Sequence, residues 1–331
     1  MKRRLLLCIV ALALLPLLIC GGSYALFLRQ SISPPAPITI SVGRGSSFGT
    51  VAQKLHRTGV VSNIIGFKVL ARLRGDAAAI QAGDYLFAEA ATPGQILDRL
   101  IAGDVELHRL TIPEGFSRKE ISERLQHSEF QDAAAFLPLT DDATLIRKLG
   151  IKAASLEGYL FPETYTFDSR TNSRQLIQAM VNQCLAELTP TLLAKAKKQN
   201  LNRHQLLTLA SIIQKEAGNN SEMPLISAVF HNRLRRGIAL QADPTVIYGI
   251  KDFDGNITRR HLREITPYNT YRVAGLPPGP IASPGRAALQ AAANPAGVNY
   301  LYFVARGDGN HQFSNTLREH NAAVRRYQLK R

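Results

Sequence analysis

One glutamate stands at the end of an apolar helical pattern, where a carboxyl group could do acid–base chemistry. The helix is expected to begin at Asn202, a good N-cap residue, with Gln205 three residues on as a partial capping box. Apolar residues spaced three or four apart share one face with Glu216: Leu206, Leu209, Ile212 and Ile213. Burial on that face should raise the pKa of Glu216 and keep it protonated near neutral pH, ready to break a glycosidic bond. The alternative is a glutamate at a helix edge, turned towards water.

Polar and aromatic clusters follow in the second half of the chain. They combine tyrosines with amides and hydroxyls, which suits a sugar groove, because rings stack on pyranoses and amides bind hydroxyl and N-acetyl groups. Taken singly, each residue also fits an ordinary structural role. The clusters occupy residues 157–165, 230–234, 240–248 and 268–271.

The helices and strands expected around these residues indicate an α+β protein. Residues 38–105 read as a small subdomain with the order strand, two helices, strand, helix, at residues 38–42, 48–58, 63–73, 83–87 and 93–101. This order resembles a LysM carbohydrate-binding unit, and a generic α+β support domain is the alternative. Residues 106–331 form a larger α+β domain. Its expected elements include helices at 173–198, 203–217 and 223–236, loops from 241 onward, a strand at 300–304 and a helix at 316–328.

The N-terminal segment predicts a membrane anchor. Residues 5–28 carry no charged side chain, and about 20 residues suffice to cross a bilayer. Lys2, Arg3 and Arg4 place the tail 1–4 in the cytoplasm, and residues 29–37 form a proline-rich linker. The alternatives are a signal peptide cleaved near Ala25 and, less favoured by the bulky residues before it, a lipidated Cys20.

Composition excludes several classes of function. The net charge is +15, but Lys and Arg are dispersed and no nucleic-acid-binding module is recognisable, so we expect no nucleic-acid partner. An anionic membrane surface or the peptide carboxylates of a cell wall are the expected partners, and a basic surface without a target is the alternative. We expect no metal and no cofactor, because His-Glu-x-x-His and paired-cysteine patterns are absent. Beyond the apolar segment only Cys184 remains, which rules out an intramolecular disulfide there.

The segments from Glu157 to the strand at Tyr300 and the pair His320-Asn321 closely resemble, in their order and residues, the YceG-like family of endolytic murein transglycosylases. The resemblance implies a lytic transglycosylase, a carbon–oxygen lyase acting on peptidoglycan glycan strands. Such enzymes break the β-1,4 bond between N-acetylmuramic acid and N-acetylglucosamine without water and leave a 1,6-anhydro end. Glu216 matches the family's catalytic glutamate, acting as general acid and then base. The family often has a second acid two residues earlier, where this chain has Gln214.

The resemblance also implies the residues that surround the acid. Glu163 and Tyr165 are expected to line the cleft. Matching segments supply residues that hold N-acetyl groups and fix the acid: Asn232, Gln241, Asp243, Thr245, Tyr248, Tyr268, Asn269 and Thr270. Asp243 is equally well explained as a turn residue before Pro244, and Glu157 as a salt-bridge partner instead of a sugar ligand.

The predicted membrane anchor indicates where in the cell the protein acts and what its biological role is. We expect a single-pass protein of the inner (cytoplasmic) membrane with its catalytic domain outside the cytoplasm. There it would cut nascent strands internally, end their elongation, and partner with peptidoglycan synthases. One alternative is a non-catalytic scaffold that binds peptidoglycan. The other is a muramidase, a hydrolase that would need a second carboxylate, for which Glu163 is the candidate.

Overall fold

A computed structural model describes residues 2–251 and 253–329, without the side chains of residues 2–13 and 17. The chain divides into two compact units. The first comprises the described residues up to His108 together with Thr166–Arg170, and the second comprises Arg109–Tyr165 and the described residues from Thr171 onward. Helices combine with antiparallel two-stranded sheets, which confirms the expected α+β composition.

The first unit packs helices against one two-stranded sheet. Its elements are α1 (Lys2–Arg29), β1 (Ile38–Val42), α2 (Phe48–Arg57), α3 (Ile64–Arg74), β2 (Gly83–Phe87) and α4 (Pro93–Ala102). β1 and β2 run antiparallel with Ile40 opposite Tyr85, and both side chains are buried. The Tyr85 hydroxyl donates to the carbonyl oxygens of Gln81 and Leu100, so this phenol is satisfied inside the core. The expected order of elements in residues 38–105 is confirmed.

The end of α1 belongs to this core. Phe27 is buried, and it lies so close to Gly66 of α3 that a β-carbon there would stand 2.9 Å from the ring. Much of the predicted transmembrane segment lies outside the description, because the side chains of residues 5–13 and 17 are not part of it. Within the described residues, no helix combines the length and the apolar character that a bilayer span requires.

The remaining elements lie in the second unit, except for His108 and Thr166–Phe167, which belong to the first. These elements are β3 (His108–Thr111), α5 (Arg118–Gln126), α6 (Ala133–Leu139), α7 (Ala143–Lys148), β4 (Thr164–Phe167), α8 (Ser173–Glu187), α9 (Pro190–Lys198), α10 (Arg203–Glu216), α11 (Met223–Arg235), α12 (Asp243–Gly249), α13 (Arg259–Arg263), α14 (Arg286–Ala293), β5 (Tyr302–Ala305), β6 (His311–Ser314) and α15 (Leu317–Tyr327). β3 pairs with β4, and β5 with β6.

Two expectations for this region need correction. The single helix expected over 173–198 is two helices, because Pro190 lacks an N–H and starts α9 behind the N-cap Thr189. The segment from 241 onward, expected to be loops, contains the helix α12 with Pro244 in its first turn. Proline is tolerated there because the first N–H groups of a helix have no partner within it.

Helix α10 is the central element of the second unit. Its capping box between Asn202 and Gln205 is confirmed, and every residue from Leu206 to Ile213 is buried. The helix packs against α9, α11, α12 and α14. Ser211 receives the backbone N–H of Ile281, which fixes the loop before α14 on the helix. With neighbours on all sides, α10 can hold its last residue in one place.

The turn at Gly158 fits closely against the same loop. Gly158 has a φ of +76°, and a β-carbon there would stand 2.3 Å from the β-carbon of Pro280. Both the left-handed backbone and the close approach therefore require glycine.

Replacing Gly158 with alanine should cost more stability than the same change at Gly150. Gly150 has a similar φ of +71° but no atom within 4 Å of the added carbon. The left-handed backbone costs both variants about 1–2 kcal/mol, and overlap with Pro280 adds about 1–3 kcal/mol to Gly158→Ala alone. Denaturant unfolding of the two variants measures the difference. Equal costs would contradict the close packing at Pro280.

Candidate active site

Glu216 is the last residue of α10 and is half-buried. Burial, with a smaller contribution from the nearby carboxylate of Asp243, raises the pKa of Glu216 to about 8, and Arg233 acts in the opposite direction. Within the described part of the chain, no group hydrogen-bonds to its carboxyl. The predicted direction of the pKa shift is confirmed. A carboxyl with this pKa is protonated at neutral pH and free to donate its proton.

Arg233 and Asp243 set the charge around Glu216. The buried Arg233 guanidinium donates to the carbonyl oxygens of Leu301 (2.7 Å) and Leu240 (2.8 Å), and it lies 5.2 Å from the ring centre of Tyr302. These contacts hold Arg233 in place without a direct bond to Glu216, so it favours the carboxylate through its field alone. Burial lowers the pKa of Arg233 itself.

Asp243 lies exposed in the first turn of α12, where the helix dipole favours a negative charge. It accepts a hydrogen bond from the Tyr271 hydroxyl at 2.7 Å. Burial and this bond to Asp243 raise the pKa of Tyr271, and Glu216 adds to the shift. Glu216, Asp243 and Tyr271 therefore influence one another electrostatically, which makes them one cluster.

The segment leading into α12 is fixed by buried polar contacts. Gln241 has a φ of +53° and donates its N–H to the Thr270 carbonyl, and its side-chain oxygen accepts from Arg233 at 3.2 Å. The hydroxyls of Thr245 and Thr270 lie 2.9 Å apart, and both residues are buried. The Asn269 amide donates to the carbonyls of three residues in and beside α13: His261, Leu262 and Glu264. Thr245, Asn269 and Thr270 thus hold the loop that carries Asp243.

Asn232 performs a similar task on the other side of Arg233. It is buried, and its amide donates to the carbonyl oxygens of Val298 (2.9 Å) and Tyr300 (2.8 Å). Arg235 donates to its side-chain oxygen. These bonds tie α11 to the segment that enters β5, beside the carbonyl of Leu301 that receives Arg233.

A cleft of about 940 Å³ opens beside this cluster, and Lys215 and Pro244, the sequence neighbours of Glu216 and Asp243, both line it. Glu157 forms part of its wall. The buried Glu157 carboxyl accepts from the Tyr248 hydroxyl and from the backbone N–H of Arg118, both at 3.1 Å. Burial raises the pKa of Glu157 to about 7, although these hydrogen bonds oppose the shift. Tyr268 packs on Tyr248, with ring centres 4.8 Å apart.

Glu163 and Tyr165 do not line this cleft. Glu163 is exposed, 3.6 Å from the Arg286 guanidinium. Tyr165 is buried, and its hydroxyl donates to the Phe161 carbonyl at 2.6 Å. Burial raises the pKa of Tyr165. Gln214 accepts the backbone N–H of Gly285 at 3.0 Å and so helps to position α14.

Three of these site residues received no role from the sequence. Arg233 and Tyr271 directly follow the predicted Asn232 and Thr270, and this adjacency was their only signal. Arg118 lies far away along the chain and carried no signal. Within the described residues, no group of three or more His, Cys, Asp or Glu side chains converges as metal ligands would.

The geometry defines a class of site: one protonated, half-buried carboxyl at a helix end, next to a cleft with paired tyrosines. The profile of the YceG-like family matches residues 40–326. The chain therefore belongs to the YceG-like family, as its motifs predicted.

Relatives in this family are similar along most of the chain. An endolytic murein transglycosylase of Bacillus subtilis (strain 168) is 32% identical, in an alignment covering 94% of this chain and 91% of the relative. A protein of the same name from Streptococcus pneumoniae (strain D39) is 29% identical, over 95% of this chain and 63% of that relative. The solved structure of a YceG-like protein from Listeria monocytogenes superposes with a TM-score of 0.60 at 33% identity, covering 86% of this chain and 98% of that chain.

The raised pKa of Glu216 predicts a pH-dependent cost to stability. Between pH 4.5, the ordinary pKa of the group, and pH 8 the folded chain retains a proton that the unfolded chain has lost. Stability therefore falls as pH rises through this window. Because glutamine has no charge, the stability of Glu216→Gln relative to the unaltered protein should increase by about 1–3 kcal/mol between pH 5 and pH 8.5.

Urea unfolding at both pH values measures this change. Glu163→Gln removes one exposed carboxyl and serves as the control for the loss of a charge. A change of the same size in both variants, or no change with pH in Glu216→Gln, would contradict the assignment of a raised pKa to Glu216.

Proposed function

We propose that this protein is a lytic transglycosylase that cleaves the glycan strands of peptidoglycan with Glu216 as its general acid and base. The observation that carries the proposal is the half-buried Glu216 carboxyl, which has no hydrogen-bond partner among the described residues and a pKa raised to about 8. The names of the B. subtilis and S. pneumoniae relatives, both endolytic murein transglycosylases, support the substrate.

One carboxyl group suffices for the reaction. Protonated Glu216 donates to the glycosidic oxygen, the bond from that oxygen to the anomeric carbon of N-acetylmuramic acid breaks, and positive charge develops on the sugar. The carboxylate then takes the proton of the 6-hydroxyl while that oxygen bonds to the anomeric carbon. The products are a new N-acetylglucosamine end and a 1,6-anhydro ring, and Glu216 is protonated again. Arg233 favours the carboxylate that exists between the two transfers.

The surrounding residues have two kinds of task in this proposal. Tyr248, Tyr268 and Asp243 offer rings and oxygen atoms to the sugars. Four residues keep these groups in position through side-chain bonds to the backbone: Asn232, Thr245, Asn269 and Thr270. Gln241 does so by accepting a hydrogen bond from the Arg233 guanidinium. Glu163, which pairs with Arg286 at the start of α14, and Tyr165, which is buried in β4, lie outside the cleft and contact no sugar in this proposal.

Glu216→Gln should lower the rate of glycan cleavage by about 10²–10⁴-fold, because an amide cannot transfer the proton. The measurement is digestion of purified peptidoglycan by the full chain, with products weighed by mass spectrometry. Cleavage by the unaltered protein should give 1,6-anhydromuramic ends. Glu163→Gln is the matched control and should cleave at the normal rate.

Other outcomes would indicate a different function. If the product ends are heavier by one water, and Glu163→Gln no longer forms them, the protein is a muramidase with two carboxylates. Binding of strands without any cleavage would indicate a scaffold. Normal cleavage by Glu216→Gln would reject Glu216 as the acid.

The proposal extends to location and role. The uncharged run over residues 5–28 behind three basic residues supports a single-pass anchor in the inner membrane, with the N-terminus in the cytoplasm and the catalytic unit outside. The LysM-like first unit would contact glycan near the membrane. An enzyme held there meets new strands first, so it would end their elongation beside peptidoglycan synthases. Failure of synthases to co-purify after cross-linking in cells would count against that partnership.

The anchor itself can be tested by extraction of membranes with alkaline carbonate. The unaltered chain should stay with the membrane, and arginines at Leu14 and Leu15 should release it, because each costs about 2.5–3.5 kcal/mol at the centre of a bilayer span. The control changes the same two residues to isoleucine and should remain membrane-bound. Release of the unaltered chain would reject the integral anchor.

A further inference from the structure

The cleft beside Glu216 has more cationic groups than its sugar-binding residues explain. Four basic side chains line it: Arg118, Lys119, Lys215 and Lys251. Arg118 is paired, since its guanidinium lies 2.5 Å from Asp141. Lys215 donates to the carbonyl oxygen of Gly115, and Lys119 and Lys251 are exposed. None of these three lysines has a carboxylate partner within the part of the chain that the structure describes.

The acidic groups of the same cleft are already occupied. Glu120 closes the capping box of α5 by accepting the N–H of Ser117 at 2.6 Å. Asp141 pairs with Arg118, and Glu157 accepts from Tyr248 and Arg118. The four basic side chains outnumber the three carboxyl groups, and none of the three lysines pairs with one of them within the described residues, so a ligand with carboxylates would be attracted to the cleft.

Most of the remaining lining is apolar. Leu137, Pro244, Ile247, Phe253 and Ile281 form walls suited to methyl-sized groups. The volume of about 940 Å³ lies near the upper end of ordinary ligand pockets. The helix α12 connects the two regions, because Asp243 at its start belongs to the Glu216 cluster and Tyr248, five residues on, lines the cleft. At about 1.5 Å per residue this is a short step, within the reach of a group attached to a sugar at Glu216.

We propose that this cleft is a subsite for the peptide stem of peptidoglycan, in which Lys119 and Lys251 bind the free carboxylates of the stem. The inference rests on the proposed function, because it takes the glycan strand as the substrate at Glu216. Muramic acid carries the stem through its lactyl group, so a strand cut at Glu216 brings a stem to the neighbouring surface. The ligand is a short anionic peptide with small apolar side chains.

The test compares strands whose stem carboxylates are free with the same strands after the carboxylates are converted to amides. For the unaltered full chain, kcat/KM should be higher for the anionic stems. In the double variant Lys119→Gln/Lys251→Gln this preference should fall by about fivefold, mainly through KM, since each exposed ion pair contributes modestly. The control Lys197→Gln/Lys198→Gln removes the same charge from exposed positions on α9 and should keep the preference.

A second measurement does not depend on turnover. Glu216→Gln is titrated with a muramyl tripeptide and with its amidated counterpart, with and without the cleft substitutions. Tighter binding of the anionic form, lost with Lys119→Gln/Lys251→Gln, supports the subsite even if no strand is cleaved. If the unaltered protein cleaves nothing but this binding is observed, the proposed function fails and the subsite stands.

Two results would overturn the subsite. One is an equal effect of the cleft variant and the Lys197→Gln/Lys198→Gln control, which would mean that only the overall charge of the protein matters. The other uses strands stripped of their stems by an amidase, which expose the lactyl carboxylate of muramic acid. If these strands depend on Lys119 and Lys251 as strongly as stem-bearing strands do, the recognised group is the lactyl carboxylate.

Discussion

Burial of one ionisable carboxyl, that of Glu216, with no hydrogen-bond partner among the described residues is the constraint on which the second unit depends. Removing a carboxylate from water is costly, so the group responds by holding its proton, and the pKa of Glu216 rises to about 8. The fold must keep the carboxyl there against its tendency to turn towards solvent. It does so by burying α10 from Leu206 to Ile213, so that the helix cannot rotate without exposing its apolar residues.

The neighbouring charges are arranged so that none of them neutralises this acid. Arg233 would form a salt bridge with Glu216 if its donors were free, and the pKa would then fall. Instead, the guanidinium donates to the backbone carbonyl of Leu301, just before β5, and to those of Ala239 and Leu240, just before α12. Asp243 is held by Tyr271 and pushes the pKa of Glu216 upward. The result is an acid that is neutral at rest and has a cation in its field once it ionises.

The buried amides and hydroxyls around the site support this arrangement. Asn232, Asn269 and Thr270 contact the backbone, and their polar atoms are satisfied within the protein. Such residues act by fixing the loops that carry Asp243 and Arg233. The cleft lined by Tyr248 and Glu157 offers the accessible surface beside them, and its excess of basic side chains gives that surface its positive charge.

Much of the fold could be predicted because it depends on local chemistry. The helix ending at Glu216 follows from an N-cap at Asn202 and a period of 3.6 residues, and the strands at 38–42 and 83–87 follow from alternation and flanking turns. Pro190 also indicated the break between α8 and α9. It was missed because the apolar pattern continues on both sides of the proline. The helix α12 was missed because Pro244 and the preceding turn at Gly237 resemble a loop, whereas its stability comes from packing on α10.

Sequence motifs could predict most residues of the site, but not the role of each residue. Both Tyr165 and Tyr248 were expected to belong to a sugar groove. In the structure the Tyr165 hydroxyl is bound inside the fold, whereas Tyr248 lines the cleft. The sequence by itself determined that Glu216 shares a face of α10 with apolar residues, because helical periodicity is a local property. Only the tertiary structure decided that the Arg233 guanidinium donates to backbone carbonyls and that Glu157 accepts from both Arg118 and Tyr248. Those contacts join residues far apart in the chain, and local propensity contains no information about which distant groups will be buried together.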